Sequence, residues 1–176
     1  MKLFTPDYYV ESYRAIDVEK LKQRGISLLV CDIDNTLVAH DCAHPDDDVR
    51  TFIQKVKQND MQIAFVSNNV KERVETFAKE FHAPCYPFAK KPLKLTYRKM
   101  VKELGYAPQQ IAVLGDQLLT DMLGANRMGF YTILTKPVAK RDLKCTKINR
   151  IFENMIFQLL EKQGKLKRGN YDDKIL

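Results

Sequence analysis

The chain has 176 residues, of which 45% are apolar and 29% charged, and its formal charge is +7. That length suits one domain over residues 1–176 with a single core, and that balance excludes a disordered or a membrane-spanning chain. No apolar run approaches the roughly 20 residues a bilayer requires, and the opening MKLFTPDYYV lacks the apolar stretch of a secretory signal, so a cytoplasmic location is expected.

In chain order, residues 1–24 flank the core. Their aromatic-rich stretch (Tyr8, Tyr9, Val10, Tyr13, Ile16, Val18, Leu21) is expected to pack as a short helix beneath a sheet. Short apolar runs follow at Ile26–Cys31, Met61–Val66, Ile111–Leu114 and Tyr131–Leu134, each reading as a strand buried on both faces. A weaker piece at Ala83–Tyr86, interrupted by Pro84 and followed by Pro87, suits a strand at a sheet edge. Between these runs lie helical stripes: Val49, Phe52, Ile53 and Val56; Val74, Phe77, Ala78 and Phe81; Leu93, Tyr97, Met100, Val101 and Leu104. Pro92 is expected in the first turn of the third helix and Gly105 at its C-cap. This alternation predicts right-handed crossovers and a parallel sheet of about five strands in an α/β fold, a three-layer α/β/α sandwich.

A last amphipathic helix is expected over about 146–163, with Ile148, Ile151, Phe152, Met155, Ile156, Leu159 and Leu160 on one stripe and Gly164 at its end. Residues 136–176 hold eleven Lys/Arg against five Asp/Glu, so the basic character belongs to the tail. A solvated face explains most such runs; an anionic lipid surface, nucleic acid or an acidic protein is the functional alternative. The four cysteines form no CxxC pair and read as reduced thiols, and His40 to His44 reads as a polar loop rather than a zinc site.

In an open parallel sheet, ligands bind beyond the C-terminal strand ends, where the strand order reverses. There the runs deliver Asp32-Ile33-Asp34-Asn35-Thr36, then Ser67-Asn68-Asn69, then Gly115-Asp116 with Asp121. Each piece alone has a bland reading as a turn, an N-cap or a helix-end charge, and Lys91 alone could be solvated beside Lys90. Together they gather several carboxylates in one crevice. Two carboxylates about 4 Å apart repel by roughly 4 kcal/mol at an effective dielectric of 20, a cost that either a bound divalent cation or a shifted pKa must offset, and hard oxygen ligands indicate Mg²⁺.

These residues resemble the four motifs of the haloacid dehalogenase (HAD) superfamily, in order from Cys31 to Gly129: the DxDxT at Asp32 to Thr36, Ser67, Lys91 before Pro92, and Gly115-Asp116 with Asp121. Aspartate at both first-motif positions is similar to the phosphatase branch. The short first-to-second-motif gap leaves no room for a large cap domain, which is similar to the capless subfamily IIIA. The Pro-Asp-Tyr-Tyr-Val start and Gly115 to Asp121 resemble its bacterial YqeG group, relatives of the mitochondrial phosphatidylglycerophosphate phosphatases.

The resemblance implies a Mg²⁺-dependent phosphomonoester hydrolase in which Asp32 is the nucleophile and Asp34 the general acid and base. It implies Ser67 and Lys91 on the phosphate, with Thr36 and Asn68 as further phosphate contacts, and metal ligation by Asp32, Asp34, Asp116 and Asp121. Lys90, directly before Lys91, stays open as the alternative lysine. The implied substrate is a phosphorylated compound, with a lipid headgroup such as that of phosphatidylglycerophosphate at an anionic membrane surface favoured for an open site. The rival readings are a soluble sugar phosphate, nucleotide or phosphoprotein as substrate, or a basic RNA- or ribosome-associated module.

Overall fold

The computed structural model of the chain describes residues 2–139 and 144–172, without the side chains of 144–150. The four apolar runs become β2 (Leu28–Cys31), β3 (Gln62–Val66), β5 (Ile111–Gly115) and β6 (Tyr131–Thr135), and the proline-flanked piece becomes β4 (Cys85–Tyr86). With β1 (Tyr8–Val10) they form one parallel sheet in the order β1-β6-β5-β2-β3-β4. Alternate side chains divide between two faces, as strand geometry requires. Leu29, Cys31, Ile63, Phe65 and Leu114 join one core with α1 (Val18–Gln23), α2 (Asp47–Gln58) and α3 (Lys71–Lys79). Leu28, Val30, Ala64, Val66 and Val113 join the other with α4 (Leu95–Leu104) and α5 (Leu123–Asn126). The result is the expected α/β/α sandwich, and no cap domain interrupts it among the described residues.

Two expectations need correction. The stretch Tyr8–Val10, expected to be helical, pairs with β6 at the sheet edge and brings the expected sheet of about five strands to six. Tyr-Tyr-Val has high strand preference, but three residues are too few to show alternation. Asp7 fixes the register: its Oδ2 accepts the Thr132 amide N–H at 2.8 Å and the Thr132 hydroxyl at 2.9 Å. The helix in this flank is α1 alone, N-capped by Asp17, whose Oδ1 accepts the Lys20 N–H.

The second correction concerns Pro92 and Leu93, which precede the helix instead of opening it; α4 starts at Leu95, and Leu93 is exposed. The Lys91–Pro92 peptide is cis. The cause lies in Lys91, whose N–H donates to Asn68 Oδ1 at 2.7 Å and whose C=O accepts from Asn68 Nδ2 at 3.2 Å. Both of its backbone groups are thus engaged by the neighbouring loop and not by a helix. Gly105 does end α4, in the left-handed conformation at φ 76°.

The amphipathic helix expected over about 146–163 is α6 (Lys144–Lys162). It does not bury its apolar stripe as a unit. Phe157 and Leu160 pack against Tyr9, Leu118, Met122 and Leu134, while Ile151, Phe152, Met155 and Leu159 stay exposed; Cys145 and Ile148 lie outside the described side chains. After the helix, the tail returns along the edge strand, where Asp172 accepts the Tyr9 N–H at 2.7 Å through Oδ2 and donates its own N–H to the Tyr9 carbonyl at 2.8 Å. Tyr171 lies 4.9 Å from the Tyr9 ring, so the exposed edge of β1 is covered by the chain's own end.

The packing makes one quantitative expectation. Phe77 is fully buried, edge-on to Phe65 at 5.4 Å and 5.7 Å from Phe81. Phe77→Ala should destabilise the protein by about 3–5 kcal/mol in urea unfolding with an unchanged m-value, as large-to-small changes in a dense core do; a loss below about 1 kcal/mol would show that this cluster is not tightly packed.

Candidate active site

Strands β2 and β5 are neighbours at the place where the sheet order turns back on itself, with β3 and β4 on one side and β6 and β1 on the other. The register sets Cys31 opposite Leu114 and Phe65. Asp32 therefore lies level with Gly115 and Val66, Asp116 and Ser67 follow one residue beyond on the two neighbouring strands, and the Asp32 N–H extends the ladder to the Leu114 carbonyl at 2.9 Å. The chain then turns sharply. Asn35 takes a left-handed conformation at φ 62°, its N–H bonded to the Val38 carbonyl at 2.7 Å, which returns Thr36 toward the carboxylates.

The centre of the site is an ammonium. Lys91 Nζ lies 2.7 Å from Asp32 Oδ1 and 2.6 Å from Asp121 Oδ1, with all three side chains nearly inaccessible. Thr36 Oγ1 lies 3.2 Å from Asp32 Oδ2 and 3.3 Å from Asp116 Oδ1, within reach of donating its one proton to either. Asp32, Asp116 and Asp121 each offer an oxygen within 4.8 Å of the others, the one such acidic group among the described residues. Asp121 sits in a π-helical turn, Leu118–Met122, that leads into α5, and its Oδ2 accepts the Gln117 N–H at 3.1 Å. Both of its oxygens are therefore engaged, and Asp121 is placed to orient Lys91.

Charge and burial compete here. Burial pushes the Asp32 carboxyl up, Lys91 pulls it back, and the negative charge of Asp121 adds to the rise, leaving it at about 6. For Lys91 burial acts downward, but Asp121 and Asp32 outweigh it and hold the ammonium well above its ordinary value. The lysine therefore stays charged while the nucleophile candidate is poised within the physiological range. The donor set is hard oxygen with carboxylates crowding one ammonium, which fits a divalent cation held by Asp32 and Asp116.

Of the residues picked out from sequence, Asp32, Thr36, Lys91, Asp116 and Asp121 are buried and converge, and Ser67 is buried at the end of the adjacent strand β3, its Oγ accepting the Asn69 N–H at 3.2 Å. Lys91 is the lysine of the site, and Lys90 is exposed at φ 54°. Thr36, expected to touch phosphate, has its hydroxyl at the carboxylates, and Asn68 has its amide on the Lys91 backbone. Asp34 stands slightly apart, with Oδ1 accepting from Arg73 Nη2 at 3.1 Å and Oδ2 from Asn69 Nδ2 at 2.9 Å. Asn69 enters the sequence reading only as the last of Ser67-Asn68-Asn69, and Arg73 not at all: it sits in the charged opening of α3, Lys71-Glu72-Arg73, which reads as a solvated surface. No local signal separates it from its neighbours. His44, in the loop considered for zinc, pairs with Glu80 at 2.9 Å on the surface.

Comparison with known proteins agrees with this geometry. A family model described as mitochondrial PGP phosphatase matches residues 1–139. The probable phosphatase YqeG of Bacillus subtilis (strain 168) is 35% identical over 165 residues, covering 94% of this chain and 96% of that one. Phosphatidylglycerophosphate phosphatase 1, chloroplastic/mitochondrial, of Arabidopsis thaliana is 30% identical over 147 residues, 78% of this chain and 42% of that longer one. A solved structure of a hydrolase assigned to subfamily III A of the HAD superfamily, from Legionella pneumophila, superposes with a TM-score of 0.52 at 19% identity, over 69% of this chain and 72% of that one. With a six-stranded parallel sheet and carboxylates at its switch point, these likenesses make the protein a HAD-superfamily phosphatase, a phosphoric monoester hydrolase. Within that class the chain belongs to the mitochondrial PGP phosphatase family.

One glycine is required by this packing. A Cβ added at Gly115 would fall within 2.5 Å of Asp121 Cβ and Oδ2. Gly115→Ala should displace Asp121 from Lys91, cost about 1–3 kcal/mol of stability and lower kcat/KM on p-nitrophenyl phosphate by roughly 100-fold; wild-type kinetics in that variant would show that Asp121 tolerates displacement.

Proposed function

We propose that the chain is a Mg²⁺-dependent phosphatase that forms an aspartyl-phosphate on Asp32 and acts on phosphatidylglycerophosphate. The observation that carries the mechanism is the shared Lys91 ammonium, which keeps one Asp32 oxygen fixed and leaves the carboxylate an anionic nucleophile in a dry pocket. Asp32 Oδ attacks phosphorus in line, the P–O bond to the leaving group breaks, and Asp34 gives that oxygen its proton. Asp34, now a carboxylate, takes a proton from water as the water attacks the aspartyl-phosphate and releases inorganic phosphate. Arg73 and Asn69 hold the Asp34 oxygens between these proton transfers. Ser67 and Lys91 bind the equatorial phosphoryl oxygens, and Thr36 and Asn68 position Asp32, Asp116 and Lys91. Mg²⁺ held by the Asp32 and Asp116 carboxylates and the Asp34 carbonyl would supply the positive charge that lets one anion approach another.

The substrate reading is supported by family membership and by α6, which carries four exposed apolar side chains at helical spacing, Ile151, Phe152, Met155 and Leu159, while Asn154 and Phe157 line a cavity that Asp116 also borders. Lys162, Lys165 and Lys167 follow them. A helix with this pattern lies on an anionic bilayer, where each cation near the surface contributes about 1 kcal/mol. No helix among the described residues is long and apolar enough to cross a membrane, so the association proposed is peripheral.

Asp32→Asn should lower turnover by more than about 1,000-fold while leaving the circular dichroism spectrum unchanged, and EDTA should abolish wild-type activity until Mg²⁺ is added back. Undiminished hydrolysis by the variant would refute the nucleophile. Because the Asp32 proton must leave before a cation can bind, Mg²⁺ affinity measured by calorimetry should fall about tenfold per pH unit below about pH 6 and level off above it; an affinity constant between about pH 5 and pH 7.5 would contradict the Asp32 assignment. The double substitution Ile151→Ser, Met155→Ser should weaken flotation with phosphatidylglycerol vesicles at least about tenfold and spare p-nitrophenyl phosphate hydrolysis. Absence of flotation by the wild-type protein would remove the membrane from the proposal.

A further inference from the structure

Beside Asp116 lies a cavity of about 370 Å³ that the catalytic roles above leave unused, within the size range of small-molecule sites. It is walled by the end of β6 and the π-helical turn on one side (Leu134, Thr135, Lys136, Leu118) and by α6 and the returning tail on the other (Asn154, Phe157, Arg168, Tyr171). Its character is mixed. Tyr9, Phe157 and Tyr171 give it aromatic surface, and Arg168 and Lys136 are the cations along its lining.

Arg168 is held in place although it is exposed. Its Nη2 donates to Asn154 Oδ1 at 2.9 Å, and its guanidinium carbon lies 4.6 Å from the centre of the Phe157 ring. The fork is thus fixed in plane with one of its five N–H donors on Asn154. Glu153, the carboxylate in the same wall, has Oε1 on the Leu119 N–H at 3.3 Å. An aromatic cavity with a preset guanidinium, sharing a wall with a proposed metal ligand, suits a leaving group that carries a second anionic group with tetrahedral oxygens.

We infer that this cavity is the leaving-group subsite, and that Arg168 recognises a phosphodiester on the substrate several bonds away from the monoester that is cleaved. The inference rests on the phosphatase reading above and names the specificity of that same site. A planar fork matches two phosphate oxygens at once, which a point charge such as Lys136 does not, so Arg168 carries the recognition and Lys136 adds field. Substrates lacking the diester then bind through the cleaved phosphate alone.

The test uses the full chain with Mg²⁺ and p-nitrophenyl phosphate, with glycerophosphoglycerol, a soluble phosphodiester without a monoester, as competitor. The wild-type protein should be inhibited competitively. In Arg168→Gln the inhibition constant should rise at least about tenfold with kcat and KM for p-nitrophenyl phosphate within about twofold of wild type, and Arg168→Lys should recover part of the loss. Equal inhibition of wild type and Arg168→Gln, or none in wild type up to the solubility of the competitor, overturns the subsite while leaving the phosphatase standing. If Arg168→Gln loosens the tail, seen as a lower melting temperature, Lys136→Gln serves as second variant and should raise the constant about threefold; no change there counts against the subsite. Should the wild-type protein hydrolyse no monoester at all, the catalytic reading fails separately, and calorimetric titration with glycerophosphoglycerol decides the subsite by the same comparison. Dihexanoylphosphatidylglycerol below its micelle concentration identifies the source of the diester: tighter inhibition than by the deacylated compound points to a lipid, equal inhibition to a soluble leaving group, and both must weaken in Arg168→Gln.

Discussion

A single buried ammonium organises the catalytic end of this protein. Lys91 stands between Asp32 and Asp121 at hydrogen-bond distance from each, and removing the ammonium would leave two carboxylates facing each other where water hardly reaches. Breaking such a buried pair costs several kcal/mol, far more than a surface ion pair, so the surrounding structure is arranged to prevent it. Asn68 grips the Lys91 backbone from both sides, the π-helical turn carries Asp121 inward, and Gly115 lacks the side chain that would obstruct it. None of these three features is needed for the sheet itself. They make sense as supports for one charge.

The sheet supplies the other half of the constraint. Because all strands are parallel, their polar ends emerge on one edge, and because the order reverses between β2 and β5, the ends of these two strands are neighbours with open space above them. Asp32 and Asp116 are therefore brought together by topology, and Thr36 between them couples their orientations. One side of the site is bordered by α6 and the returning tail. Tail residues pair with Tyr9, and α6 covers part of the region beyond β6 without forming a lid. What a separate cap would do in a larger enzyme, the tail does here along one side only.

The two-sided apolar runs announced β2, β3, β5 and β6, since burial on both faces leaves no alternative residue types. The DxDxT, Ser67 and Gly115-Asp116 positions were legible for the same reason, polar groups standing where a buried strand ends. Harder to read was everything set by distant partners. Tyr8–Val10 is a strand because β6 and Asp7 make it one, and nothing within its three residues says so. Pro92 looked like a helix opener because the hold of Asn68 on Lys91 is a long-range contact. Arg73 reaches Asp34 from a helix whose charged first turn resembles any solvated one. The apolar stripe of α6 was visible in sequence, but which part of it would face the core depended on where the tail docks.

The most direct measurement is a crystal structure of the protein with Mg²⁺ and beryllium trifluoride, which mimics a phosphoryl group on a carboxylate. This account predicts beryllium bonded to an Asp32 oxygen, with Lys91 and Ser67 on the fluorines and one metal ion touching Asp32 and Asp116. A fluoride complex on any other residue, or a metal ion that leaves Asp32 and Asp116 untouched, would contradict it.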